Sequence, residues 1–168
     1  MEYPKIQTLF MRDKIGLIIP DSNTRPEFKY LRENLWECTE KIDGTNMRIE
    51  IHCDEDNEVS WRYCGRTERA TIPRHLLAKM KQLFDDIDWR EIFGCLVPNT
   101  HITIFGEGYG IKIQKGGNYI KNDVSFILFD VRVGNWWLTR ESCEDIAKKL
   151  NISIVPMIGM FTIDEAID

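Results

Sequence analysis

Hydrophobic and polar residues alternate most regularly between positions 47 and 63. Met47, Ile49, Ile51 and Cys53 are interleaved with Arg48, Glu50 and His52, the period-two signature of a half-buried strand with one polar face. Asp54–Asn57 supply turn residues. Val59, Trp61 and Tyr63 then alternate with Ser60 and Arg62, so the stretch predicts a β-hairpin. Alternation returns at His101–Glu107 and at Ser125–Val133, the strongest strand of the chain. Shorter apolar runs at Lys14–Pro20, Leu35–Thr39 and Ile152–Val155 also read as strands. Gly134-Asn135 reads as a tight turn into Trp136-Trp137-Leu138. Asp21–Pro26, Gly108–Gly110 and Gln114–Tyr119 read as loops.

Helical spacing is confined to four places. Pro73 opens one helix carrying Leu76, Leu77, Met80, Leu83 and Phe84. Asp88–Leu96 predicts a short second one, and Thr139 caps a third at Arg140–Leu150. Thr162 with Glu165 fits a capping box, with a helix starting there and cut off by the end of the sequence. Strands joined by hairpins, with helices interspersed, predict an α+β fold with mainly antiparallel sheet rather than alternating βαβ units. At 168 residues the chain is one domain or part of a larger one.

Composition narrows the class without naming a function. Hydrophobic residues make up 43% and charged residues 29%, ordinary for a globular protein. A formal net charge of −5 argues against general electrostatic adhesion to nucleic acid, though not against a local basic groove. No apolar run is long enough to span a bilayer. The five scattered cysteines, with no C-x-x-C, give neither a disulfide framework nor a structural zinc site. They read as reduced thiols, which suits a cytoplasmic setting. His52, Cys53 and Cys64 lack the paired spacing of a metal site, and His75 and His101 receive no role. The glycines after Glu107 match neither a Walker loop nor a dinucleotide fingerprint.

The chemistry concentrates at Glu40-Lys41-Ile42-Asp43-Gly44-Thr45-Asn46. A lysine between carboxylates in a glycine turn reads either as a charged hairpin entry or as a covalent nucleophile toward a phosphate. The second use is demanding. With a free pKa of about 10.4, a neutral amine at pH 7 costs about 4.6 kcal/mol, so the site must favour the neutral form.

This stretch resembles motif I, K-x-D-G, of the covalent nucleotidyltransferases, which comprise the ATP-dependent DNA ligases, the RNA ligases and the mRNA capping enzymes. Gly65-Arg66-Thr67 resembles their small arginine motif. Phe105-Gly106-Glu107-Gly108-Tyr109-Gly110 resembles motif III, and Phe126-Ile127-Leu128-Phe129-Asp130 resembles motif IIIa. Ile111–Lys115 and Val155–Gly159 are similar to the double-strand nick-sealing branch of the RNA ligases, although position 43 is Asp where that branch can carry His. The resemblance runs from about Lys41 to the end.

It implies a nucleotidyltransferase fold, of which residues 1–168 would be the N-terminal part of the adenylyltransferase domain. It also implies an ATP-dependent RNA ligase, using ATP and Mg²⁺ and acting on nicked or duplex RNA ends. Lys41 would be the residue adenylylated. Glu40 and Ile42 would help hold adenine, Asn46 would contact the ribose or phosphates, and Arg66 would sit by the ribose and phosphate. Glu107 would accept from the ribose hydroxyls, and Phe129 would stack on adenine with Asp130 in support. Motifs IV and V, which would supply a metal carboxylate and the phosphate lysines, are not found and are expected downstream. A DNA-sealing or capping enzyme, and a non-catalytic nucleotide- or nucleic-acid-binding module with a ligase fold, stand as alternatives.

Overall fold

The structure is a computed structural model describing residues 2–94, 96–114 and 119–167. Cys95 and the loop residues 115–118, Lys115 among them, lie outside the described residues. In chain order the elements are β1 (Phe10–Arg12), β2 (Ile18–Asn23), α1 (Pro26–Tyr30), β3 (Trp36–Thr39), β4 (Thr45–Cys53), β5 (Val59–Gly65), α2 (Arg74–Phe84) and α3 (Trp89–Phe93). They continue as β6 (Thr100–Gly110), β7 (Val124–Val133), β8 (Trp136–Trp137), α4 (Arg140–Lys149), β9 (Ser153–Ile154) and β10 (Met157–Phe161). The chain divides into two units, residues 1–3 with 41–155 and residues 4–40 with 156–168.

The larger unit is built on one sheet in the order β5-β4-β6-β7-β8, with β9 joined to β7. Every pairing in it is antiparallel except β7–β9, which is parallel and follows the crossover through α4. This is the expected α+β architecture. One face of the sheet, with Met47, Ile49, Ile51, Ile102, Ile104, Phe126 and Leu128, packs against the helices. In α2, Leu76, Met80 and Phe84 recur four apart and are fully buried, so one stripe of the helix closes the core. Thr139 caps α4 as expected, accepting a bond from the Ser142 N–H.

The other face of the sheet is where the alternation misleads. Arg48 should project into solvent with Glu50 and His52, yet its side chain is wholly buried. The expected loop at Gly108–Gly110 is instead the last stretch of β6, paired with β4 and β7. The expected helix at Asp88–Leu96 is shorter. Asp88 caps it, and Gly94 at φ +69° turns the backbone out of helical geometry.

The smaller unit holds two separate two-stranded sheets, β1–β2 and β3–β10. Its strand falls at Ile18–Asn23 rather than Lys14–Pro20, so half of the expected loop at Asp21–Pro26 is strand. The displacement has a local cause. Asp13 Oδ1 accepts from the N–H groups of Ile15 and Leu17, fixing an Asx-type turn through the first half of the apolar run. The Thr162–Glu165 box forms reciprocally, but residues 163–167 make turns and no helix.

Candidate active site

The Lys41 turn is pressed onto the sheet by a glycine. Strand β4 starts at Thr45, where Thr45 pairs with Gly108 and Asn46 with Glu107. Just before it, Gly44 passes so close to β6 that an added Cβ would stand 2.3 Å from the Gly108 carbonyl oxygen and 2.8 Å from Glu107 Cγ. No side chain fits there. The close approach lets the Gly44 N–H donate to the Glu107 carboxylate, and it brings Lys41 and Asp43 within electrostatic reach of the same group.

Glu107 is a strongly perturbed carboxylate. Burial pushes it up from 4.5 to about 7; Lys41 and the Gly44 N–H pull the other way, and Asp43 adds to the rise. A carboxyl that binds its proton more tightly when folded opposes folding once it ionises. The penalty is absent below about pH 4.5 and complete above about pH 7. Glu107→Gln is therefore expected to melt higher than the unsubstituted protein at pH 8 and alongside it at pH 4.5. The difference should be about 1 kcal/mol, reduced by solvent screening of a half-exposed side chain. Thermal melts at the two pH values check this, and equal melting at both would contradict it. Stability given up at one carboxylate is characteristic of a functional position.

Beside Glu107, Asn46 Oδ1 is buried with no hydrogen-bond partner among the described residues. A buried acceptor left open in this way can take a donor from a bound molecule. Ile42 lies nearby in sequence and sits in a small apolar cluster with Ile127 and Val155, against which Tyr109 and Phe129 pack. Phe129 lies two residues beyond Ile127 on β7 and so shares its face, and a β-bulge follows Leu128. Phe105 pairs with Asp130 and Gly106 with Leu128, so Phe129 is the extra residue between them. Leu128 and Val131 stay in the helix-side core while Phe129 is half-buried outside it. The apolar run alone would have made Phe129 a core residue.

Asp130, next to the bulge, accepts a hydrogen bond from the Tyr3 hydroxyl. The Tyr3 ring meets Phe105, Phe129 and Trp137 edge-on, with centroids 5.1, 4.9 and 5.6 Å away. Burial, reinforced by Asp130, raises the Tyr3 phenol above its ordinary range. Nothing in the sequence signalled Tyr3, because its partners lie more than a hundred positions away.

Of the expected site residues, Lys41, Asn46 and Glu107 are brought together, and Ile42 and Phe129 share the apolar cluster. Arg66 follows the Met47–Gly65 pair, so its backbone lies level with Asn46 at the same end of the sheet. Its side chain is exposed and, among the described residues, has no acid partner. Glu40 is assigned to the smaller unit, where its N–H donates to the Pro156 carbonyl at 3.0 Å. Among the described residues no three His, Cys, Asp or Glu side chains gather as metal ligands.

An exposed amine, a half-buried carboxylate, an open amide acceptor and an aromatic-lined apolar patch can together hold a nucleoside and present its phosphate to the amine. The family model for RNA ligase matches residues 34–168. No curated protein matches by sequence. Among solved structures, a variant of the Naegleria gruberi RNA ligase with AMP and Mn matches with a TM-score of 0.60 and 20% identity, covering 82% of this chain and 40% of that one. An archaeal ATP-dependent RNA ligase matches with a TM-score of 0.62 and 20% identity over 98% of this chain and 39% of its own. The Naegleria gruberi RNA ligase with PPi matches with a TM-score of 0.60 and 21% identity over 96% of this chain and 50% of its own. The chain thus spans about two fifths of the length of the first of these structures.

Proposed function

The chain belongs to the RNA ligase family, and from that premise we propose that it is the nucleotide-binding part of an ATP-dependent RNA ligase, with Lys41 as the residue that takes up AMP. The observation that carries the reading is the convergence of Lys41, Asn46 and Glu107 on the Gly44 crossing. Solved relatives bound to AMP and Mn, or to PPi, support nucleotide chemistry at such a site.

The residues fit an adenosine nucleotide. Glu107, ionised, accepts from the ribose hydroxyls, and the open Asn46 oxygen takes a further donor from the ribose. Phe129, on the Ile127 face of β7, offers a face to the purine, and Ile42 closes the patch beside it. Lys41 Nζ, once deprotonated, attacks the α-phosphorus. An N–P bond forms, the bond from that phosphorus to the bridging oxygen breaks, and pyrophosphate leaves with the electron pair. Arg66 neutralises charge on the phosphate being attacked. Mg²⁺ fits as a companion of the triphosphate rather than as a resident of a protein cage, and it would neutralise phosphate charge. The AMP would then pass to a 5′-phosphate at an RNA nick, for a 3′-hydroxyl to displace. Residues 1–168 would form the N-terminal part of the adenylyltransferase domain, consistent with the span of the relatives.

The test is incubation with α-labelled ATP and Mg²⁺, with GTP in parallel. ATP is expected to leave protein-bound label that survives denaturation and alkali and is released by acid, as a phosphoramidate is. Nicked RNA and nicked DNA duplexes then compete for sealing, with RNA expected to be preferred. Saturable ATP binding with no covalent label would favour a non-catalytic nucleotide-binding module. Label from GTP but not ATP would point to capping chemistry.

A further inference from the structure

We infer that Arg48 is a positioning residue that holds the Arg66 turn at the nucleotide end of the sheet. The inference rests on the reading above, and it adds a residue to which no motif assigned a role. Arg48 lies two residues beyond Asn46 on the same face of β4, and its side chain has no solvent exposure. A cation in that position is costly unless every donor is paired. Here all three guanidinium nitrogens donate. Nε donates to Glu50 at 2.8 Å, Nη2 donates to Glu68, and Nη1 donates to the carbonyl oxygens of Gly65 and, at 3.1 Å, of Arg66.

Three of those four bonds go to one short segment, Gly65–Glu68, just where β5 ends. That segment is otherwise thinly held. The residues from Arg66 to Ala70 are exposed, and among the described residues the backbone bond that closes the turn runs from the Ala70 N–H to the Thr67 carbonyl. A planar guanidinium with fixed N–H directions sets the orientation of the carbonyls it grips. Two of these belong to the peptides on either side of the Arg66 Cα, so the grip sets where the Arg66 side chain starts. Arg62 reinforces the arrangement from the surface, reaching Glu50 and, at 3.4 Å, Glu68. An apolar side chain of the same volume would fill the space under β5 equally well but would leave the turn without direction. The buried charge therefore makes sense as a device for aiming the turn.

The prediction separates aiming from folding through the partner it acts on. ATP binding and the rate of lysine labelling are measured on the full chain for Arg48→Lys and Glu68→Gln, each alone and combined with Arg66→Ala. Lysine keeps the charge but cannot grip both carbonyls and Glu68 at once. Arg48→Lys is expected to raise the ATP concentration for half-maximal labelling about tenfold, and Glu68→Gln about threefold, with smaller changes in the maximal rate. In the Arg66→Ala background both effects should shrink to under about twofold, because the group being aimed is gone. Amide hydrogen exchange at residues 65–69 should speed up in both single variants.

Glu68 is half exposed, so Glu68→Gln keeps the experiment decisive even if Arg48→Lys fails to fold. Equal losses with and without Arg66 would overturn the inference and leave Arg48 a structural ion. Unchanged ATP dependence in both single variants would overturn it too. Absence of ATP binding by the unsubstituted chain is a different result: it removes the proposed function, and this inference with it.

Discussion

Lys41→Ala, and equally Lys41→Arg, is expected to abolish covalent AMP uptake, with a loss of at least about a thousandfold. Neither replacement offers a nucleophilic amine, and among the described residues Lys41 is the lysine felt at Glu107 beside the Gly44 crossing. Lys41 is exposed, so removing it should change global stability by less than about 0.5 kcal/mol. The side chain has a second measurable effect. As a cation near Glu107 it lowers that carboxyl's pKa against the pull of burial. Without it Glu107 should titrate higher still, so the penalty, still absent below about pH 4.5, should go on growing to a higher pH. Lys41→Arg, which keeps the positive charge, should leave that range in place. Intact-mass measurement of the AMP adduct, paired with pH-dependent melts, reads both effects on the same samples. Labelling of Lys41→Ala at the unsubstituted level would remove Lys41 from the chemistry. A common melting profile for the Ala and Arg variants would show that the charge is not felt at Glu107.

These two effects come from different levels of the chain, and they differ in how far the sequence disclosed them. Lys41, Asn46 and Glu107 were legible through the motifs they resemble and not through alternation, which left Lys41 open between a charged turn and a nucleophile. Alternation placed Glu107 at a strand end, whereas β6 runs on to Gly110. The core stripe of α2 was legible from pattern alone, with Leu76, Met80 and Phe84 keeping helical spacing without interruption. Phe129 was only half legible. Its run, Phe126–Val131, is apolar enough to read as core on both faces; the bulge after Leu128, which returns Val131 rather than Asp130 to the helix-side core, leaves no local mark because it is a mismatch between two strands. Arg48 was read as a surface residue because alternation reports which face a side chain is on and not whether that face is covered. What covers it is the Gly65–Glu68 turn, together with Glu50 on its own strand. Tyr3 was invisible, since its bond to Asp130 joins positions 127 apart. At the strand that was displaced, Ile18–Asn23, backbone N–H bonds accepted by the Asp13 side chain outweighed the apolar run.

Gly44→Ala should damage both stability and labelling. Its Cβ would meet the Gly108 carbonyl oxygen at 2.3 Å and Glu107 Cγ at 2.8 Å. The first is backbone in the middle of a sheet that β7 holds from the other side through the Gly108–Phe126 pairing. It cannot retreat, so the Lys41 turn must lift. Lifting breaks the Gly44 N–H bond to Glu107 and moves Lys41 away from the carboxylate, which is then buried with less support. The expected cost is about 2–4 kcal/mol of stability. Folded protein, assayed well below its melting temperature, should also label about a hundredfold more slowly, because a displacement of about 1 Å is enough to spoil an in-line attack. Gly134→Ala is the matched control. Gly134 has φ +55° with no atom within 4 Å of an added Cβ, so it pays backbone strain of about 1 kcal/mol without a clash and should label normally. A Gly44→Ala protein that melts and labels like the control would mean that the turn is not clamped to β6, and the convergence on which the site rests would lose its cause.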